Sequence, residues 1–139
     1  MNQQWTASSK LLLALTLFIF VVQGLLVATI FFLEYNDPQN AFYLALKAGN
    51  EGKIAAYNLG QFLAHTTFML PVLIALYSRK RGWLIASRVS VILLTFGDLG
   101  KLALINVLIQ GVMIFLLFSK GVKNHFGLPK KNEPEISPE

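Results

Sequence analysis

Three polar side chains lie at helical spacing inside an otherwise apolar stretch of this sequence. Asn58, Gln61 and His65 follow one another at intervals of three and four residues. An α-helix turns by about 100° per residue, so this spacing places all three on one face. Amides donate and accept hydrogen bonds, and a histidine can exchange a proton near neutral pH. The pattern indicates a stripe suited to holding a polar ligand or passing a proton.

Further polar pairs occur in other apolar segments. Asn106 and Gln110 are four residues apart, and Thr16 and Gln23 are seven apart, so each pair shares a helix face. Side-chain amides in lipid find their partners on neighbouring helices, so the stripes are expected to converge. One interpretation is interhelical bonding worth about 0.6–2 kcal/mol for each group. The other is a polar pocket or a narrow hydrated path.

Long apolar segments must position these side chains. Of the 139 residues, 55% are hydrophobic and only 14% are charged, against about 25% charged in ordinary globular domains. Apolar segments of this length predict helices that cross a bilayer. The chain has no cysteine, which excludes disulfides and thiolate metal ligands.

The segments predict an all-α polytopic membrane protein, an antiparallel four-helix transmembrane bundle. The spans are predicted at about 11–33, 54–78, 83–96 and 99–118. A short amphipathic helix over about 38–48, capped by Asp37, is expected on the outer membrane surface; an ordered loop over the end of the bundle is the alternative. Residues 1–127 would form a single transmembrane domain, and 128–139 a disordered cytoplasmic tail.

Two features interrupt the apolar segments. Pro71 is expected to kink the second span, because proline lacks a backbone N–H. Gly97 and Gly100 flank Asp98, which is typical of a turn, and this places the boundary between the third and fourth spans there. Asp98 and Lys101 are then expected to form a local ion pair at the outer turn, with a gating charge as the less favoured interpretation.

Basic residues predict the orientation. They are concentrated in one short loop and near both ends of the apolar region, which places both termini in the cytoplasm of a bacterium whose inner membrane holds the protein. Clustered charge beside apolar spans favours contact with anionic lipid and no nucleic-acid partner. The residues expected to set the topology and contact lipid headgroups are Arg79, Lys80, Arg81, Arg88, Lys120 and Lys123.

Several classes of protein are disfavoured by what the spans contain. No phosphate-binding glycine loop or hydrolase motif is present, so no enzymatic activity and no catalytic residue are predicted. Only His65 of the two histidines lies in a predicted span, which disfavours a bis-histidine haem, and no cofactor or metal is predicted. No predicted span has a carboxylate away from its ends, which disfavours a proton-coupled exporter.

Three functions are consistent with the remaining features. The first is a small non-enzymatic membrane protein that acts by helix–helix contact, as an accessory subunit or assembly factor of a membrane complex. The alternative is a small oligomeric transporter or channel that uses the polar stripe. The third is a protein that binds a quinone or lipid through His65 and Gln110. The expected partners are the lipid bilayer and another membrane protein or a second copy of the chain.

Overall fold

The chain is helical throughout the described residues, which in this computed structural model are 4–48, 54–100 and 103–127. Within these ranges there is no β-strand, so the predicted all-α class is confirmed. The helices are α1 (Ala7–Asn36), α2 (Ala41–Ala48), α3 (Ile54–Ser78), α4 (Arg81–Gly100), α5 (Leu104–Phe118) and α6 (Lys120–His125). Three of them, α1, α3 and α4, are long and apolar enough to cross a membrane, and α5 is a shorter apolar helix.

Four apolar helices, α1, α3, α4 and α5, pack as neighbours around a common core. α1 packs on α3, α3 on α4, α4 on α5, and α5 returns to α1. Each contributes side chains spaced alternately three and four residues apart, which form one stripe along a helix. The buried apolar residues of this core are Leu12, Ile19, Met69, Val72, Leu76, Leu84, Val91, Leu94, Met113, Leu116, Leu117 and Val122.

The first helix is longer than the predicted span of 11–33. The side chain of Thr6 accepts a hydrogen bond from the backbone N–H of Ser9, which caps the helix and allows it to begin at Ala7. At the other end, the backbone N–H of Asp37 bonds to Leu33 O and closes the helix after Asn36. The cap at Thr6 therefore brings the polar residues before the apolar segment into the helix.

The short second helix begins at Ala41 instead of residue 38, and Asp37 is not its cap. Asn40 has that role, since its Oδ1 accepts the N–H of Phe42 at 3.0 Å. Tyr43 is buried against Ile30 of α1. The helix is thus held on the end of α1 by an apolar contact.

The predicted boundary between the third and fourth spans is wrong. α4 continues through Gly97 and ends at Gly100, and α5 begins at Leu104. Gly97 in the helix interior costs about 1 kcal/mol, but Asp98 continues the buried face of α4, where its Oδ2 meets partners on α3 and α5. The buried residues of α4 are Leu84, Ser87, Val91, Leu94 and Asp98.

The end of the molecule where the chain begins is closed by contacts between distant segments. Thr6 Oγ1 donates to Gly121 O at 2.8 Å. The Trp5 ring lies edge-on to Tyr77, with centroids 5.3 Å apart, and 4.7 Å from the His125 ring. His125 Nε2–H donates to the carbonyl oxygen of Leu76 at 2.8 Å. α1, α3 and α6 are therefore joined at this end.

The basic residues predicted to contact headgroups differ in environment. Lys80, Arg81, Lys120 and Lys123 are exposed at the closed end, and Arg79 there has a positive φ of 56°. Arg88 instead points into the protein: its Nε and Nη2 donate to Leu117 O at 3.2 and 3.0 Å. Its guanidinium also lies 4.3 Å from the centre of the Phe118 ring. Arg88 therefore bonds to the carboxyl end of α5, and its contact with lipid headgroups stays a prediction.

The structure leaves the predictions about the tail, Lys101 and the kink at Pro71 untested. The predicted disordered tail, 128–139, and Lys101 lie outside the described residues. α3 continues through Pro71, and the carbonyl oxygen of Pro71 accepts a hydrogen bond from Ser87 Oγ at 2.9 Å. The kink at Pro71 stays a prediction.

Candidate functional site

A carboxylate, a histidine and an amide meet between α3, α4 and α5. Asp98 Oδ2 lies 2.9 Å from His65 Nε2 and accepts a hydrogen bond from Gln110 Nε2 at 2.7 Å. The side chains are almost fully buried, with exposed fractions of 2% for Asp98, 3% for His65 and 0% for Gln110. The expected local ion pair of Asp98 with Lys101 lies outside the described residues, and the described partners of Asp98 are on other helices.

The hydrogen bonds of His65 fix the number of protons that the pair holds. Its Nδ1 lies 2.7 Å from the carbonyl oxygen of Gln61. A carbonyl oxygen only accepts, so Nδ1 carries a hydrogen. The contact between Nε2 and Asp98 Oδ2 then needs one more proton, on the ring or on the carboxyl group. The His65–Asp98 pair therefore holds one proton beyond a neutral histidine beside a carboxylate, and its net charge is zero.

The residue sequence along each helix positions this cluster at one end of the core. On α3 the buried face carries Asn58, Gln61 and His65 in its first half and apolar side chains from Met69 onward. On α5 the same change occurs after Gln110. Because consecutive long helices run in opposite directions, the start of α3, the end of α4 and the start of α5 meet. That end of the core holds the His65–Asp98–Gln110 cluster, and the other end combines the apolar cluster with the buried polar side chains of Ser9, Thr16, Ser87 and His125.

A cleft of about 290 Å³ opens beside the cluster. α1, α3, α4 and α5 all contribute to its wall, which combines amides, aromatic rings and aliphatic side chains. The lining residues are Val22, Gln23, Leu26, Val27, Tyr57, Asn58, Gln61, Phe62, His65, Asp98, Ala103 and Asn106. His65 and Asp98 are thus both buried and in contact with the cleft.

Two amide oxygens at the site accept no hydrogen bond within the described part of the chain. They are Gln23 Oε1, in the wall of the cleft, and Gln110 Oε1, behind Asp98. The amide of Gln110 is oriented by Asp98, because its NH₂ group must face the carboxyl oxygen. A buried acceptor without a donor costs about 1–3 kcal/mol. The site therefore has spare capacity for a molecule that brings N–H or O–H groups.

The cleft does not continue through the described core as a polar path. Beyond His65 the next residues of the α3 stripe are Met69 and Val72, both fully buried. The hydroxyls in this half bond to backbone carbonyls: Thr16 to Leu12 O at 2.8 Å, and Ser87 to Trp83 O at 2.7 Å. Apolar side chains and hydroxyls with backbone partners therefore close the cleft on this side.

The structure brings the predicted stripe residues to one place. Asn58, Gln61, His65 and Asn106 line the cleft, and Gln110 binds the carboxylate at its floor. Asp98 was assigned to a turn and so was missed as a site residue. A signal for it was present, because the spacing of Leu84, Ser87, Val91 and Leu94 reaches position 98 at the next step.

The site has few groups that could hold a metal. His65 and Asp98 are two candidate ligands, and among the described residues no third histidine or carboxylate joins them to form a group of three. Comparison with protein-family models, with curated proteins and with solved structures finds no match. The chemistry of the cleft therefore follows from its own residues.

Proposed function

We propose that this chain is a small multi-pass membrane protein that binds a small polar molecule in the cleft, as a transporter does in its first step. The observation that carries the proposal is the buried His65–Asp98 pair facing the cleft between membrane-type helices. Ionisable groups inside a membrane protein are costly and commonly mark a substrate or proton path. Asp98 also supplies the carboxylate that the predicted spans lacked.

In this proposal α1, α3, α4 and α5 form an antiparallel four-helix transmembrane bundle in a bacterial inner membrane, and α2 lies at the outer surface. Among the described residues, most of the exposed basic side chains are at the end where α3 meets α4 and where α5 meets α6, and Lys47 on α2 is the exception. The positive-inside rule assigns that end, with both termini, to the cytoplasm. The cleft then opens on the opposite, extracytoplasmic side.

The absence of cysteine allows a direct test by single-cysteine labelling. Asn106→Cys, in the wall of the cleft, should react in intact spheroplasts with a charged thiol reagent that does not cross membranes. Leu108→Cys is the matched control: it lies on the same helix with 72% of its side chain exposed. In the proposal that surface faces lipid, so the control should stay unreactive. Asn124→Cys, exposed on α6, should react only after permeabilisation.

Two results would contradict the proposal. Equal reaction at positions 106 and 108 would show that water reaches the apolar face of α5, which a transmembrane helix does not allow. Reaction of Asn124→Cys in intact spheroplasts, with protection of Asn106→Cys, would place the cleft on the cytoplasmic side.

A second candidate is the accessory subunit, and the length of α5 favours it. This helix has 15 residues and spans about 22 Å, less than the roughly 30 Å hydrocarbon core. A short span can relieve this mismatch by associating with other helices. Its exposed apolar residues are Leu104, Ile105, Leu108, Val112, Phe115 and Phe118.

Co-purification in mild detergent tests this second candidate. A partner subunit should be retained at fixed stoichiometry and lost on Leu108→Trp, which enlarges the exposed face of α5. Val21→Trp is the matched control, because Val21 is similarly exposed on α1 and should leave the partner bound. A chain that is monomeric and separates from every partner would count against the accessory role.

A further inference from the structure

We propose that the cleft binds a small organic ammonium ion in exchange for the proton held between His65 and Asp98. This inference rests on the proposed function and names the ligand class of the same site. It follows from the charge, the aromatic content and the hydrogen-bonding deficit of the cleft wall.

The wall of the cleft favours a cation. Among the described residues that line it, Asp98 is the only acidic one and none is a lysine or an arginine. Tyr57 and Phe62 contribute aromatic rings to the wall, and the face of such a ring attracts an ammonium group by about 0.5–2 kcal/mol. The aliphatic side chains of Val22 and Leu26 can cover the organic part of such a ligand. A cleft of about 290 Å³ is at the lower end of ligand-pocket sizes and suits a small molecule.

The unpartnered acceptor in the wall favours a ligand that donates hydrogen bonds. Gln23 Oε1 lies on a lining residue and accepts no hydrogen bond from the described residues, and a primary ammonium has three N–H donors. A quinone, which is one of the predicted ligand classes, offers only carbonyl acceptors and would leave this oxygen unsatisfied. Ammonium chemistry therefore fits the site better than quinone chemistry does.

Charge balance requires the exchange. With its shared proton, the His65–Asp98 pair is neutral, so a bound cation would add an uncompensated charge to a buried site, which is costly. If the bond from that proton to Nε2 or Oδ2 breaks and the proton passes to water, the pair becomes a neutral histidine and a carboxylate. Its charge of minus one then balances one ammonium. No electron is transferred.

The titratable groups around the cleft are few enough to assign the proton. Among the described lining residues they are Tyr57 and His65 on α3 and Asp98 on α4. The described lining residues of α1 and α5 are all uncharged. The contact between His65 Nε2 and Asp98 Oδ2 is the one that requires a shared proton, so this pair is the proton donor.

Calorimetric titration of the full chain in detergent micelles tests the exchange. Benzylammonium chloride serves as the probe, and benzyl alcohol as its neutral analogue. Titration in buffers of different ionisation enthalpy gives the number of protons released. We expect about one proton for each benzylammonium bound. Because ligand and proton compete, Kd should fall about tenfold for each pH unit gained until the proton site is empty.

Variants locate the exchange in the protein. Asp98→Asn should abolish both benzylammonium binding and proton release. Asp37→Asn is the matched control, because it removes the same charge from an exposed position and should change neither. Since Asp98→Asn also removes a buried hydrogen-bonded pair and can unfold the chain, His65→Gln is a second variant. It keeps the carboxylate, so benzylammonium should still bind, with a shifted pH midpoint of proton release.

The outcomes separate this inference from the proposed function. Benzylammonium binding without proton release, or unchanged binding to folded Asp98→Asn, overturns the exchange. Benzyl alcohol binding as tightly as benzylammonium also overturns it and leaves the cleft as a site for neutral donors. If neither probe binds, the ammonium assignment fails, and labelling of Asn106→Cys reports separately on whether the cleft is open.

Discussion

His65 and Asp98 make each other's burial possible. An isolated buried carboxylate costs several kcal/mol, whereas a carboxyl group that shares a proton with a histidine and accepts from an amide is neutral as a unit. His65 and Gln110 were identifiable from spacing, because polar groups in apolar helices must find partners. Asp98 was not, because its flanking glycines match the chemistry of a turn. Whether Asp98 lies in a turn or on the buried face of a helix depends on the partner that it meets on another helix.

Arg88, at the opposite end of α4, also has a partner that the local sequence does not reveal. Its position near the start of an apolar segment is compatible with an extended side chain that reaches headgroups. In the structure it bonds to Leu117 O, a carbonyl that the last turn of a helix leaves without an internal partner. That acceptor is far away in sequence, so spacing within α4 gives no sign of it.

A pH dependence is expected from His125, which lies outside the long helices. Burial lowers the pKa of His125 below its ordinary value of 6.5, the hydrogen bond to Leu76 O opposes this shift, and repulsion from Arg79 adds to it. Below about pH 6.5 the unfolded chain gains a proton that the folded chain resists, so stability is full above that pH and declines as pH falls. One proton gives at most about 1.4 kcal/mol per pH unit.

Thermal unfolding in detergent between pH 8 and 5 measures this effect. His125→Gln keeps a donor for Leu76 O but cannot titrate, so its stability should fall less on acidification than that of the native chain. Lys123→Gln, an exposed change on the same short helix, should keep the native pH profile. An unchanged acid response in His125→Gln would assign the pH dependence to another group.

Among the elements, α3 and the α4–α5 boundary mark the limits of prediction. α3 extends over Ile54–Ser78, the range that the apolar pattern indicates, because the basic residues after it end the apolar run abruptly. No cluster of basic residues separates the third and fourth apolar segments, where Lys101 is a single basic residue. The local cue there was Asp98 between two glycines. In an apolar setting a helix keeps its own hydrogen bonds, and this preference exceeds the cost of glycine.

Gly97→Ala tests the continuous helix directly. A Cβ atom at this position meets nothing within 4 Å, so the added methyl group should stabilise α4 by about 0.5–1 kcal/mol. Denaturant unfolding in mixed micelles gives this free energy. Gly127→Ala serves as a control of opposite sign, because Gly127 has a φ of 64° that alanine adopts with strain. If Gly97→Ala instead destabilises the protein, the result would support a turn at this position and contradict the continuous helix.

At the scale of the whole molecule, the two ends of the core differ in chemistry. One end holds the His65–Asp98–Gln110 cluster and the cleft, and the other holds apolar side chains beneath a closed aromatic contact. Convergence of the polar stripes was predictable from the need of amides for partners. The position of these stripes at one end of the core was not predictable, because it depends on which halves of the four helices lie side by side.

The hydrogen bond from Thr6 to Gly121 has a consequence for assembly. It joins residues 115 positions apart, so a ribosome has made nearly the whole described chain before the two partners can meet. Until then Trp5 lacks the His125 ring against which it lies. The start of α1 is thus among the last parts of the described chain to reach its final contacts, although it is synthesised before them.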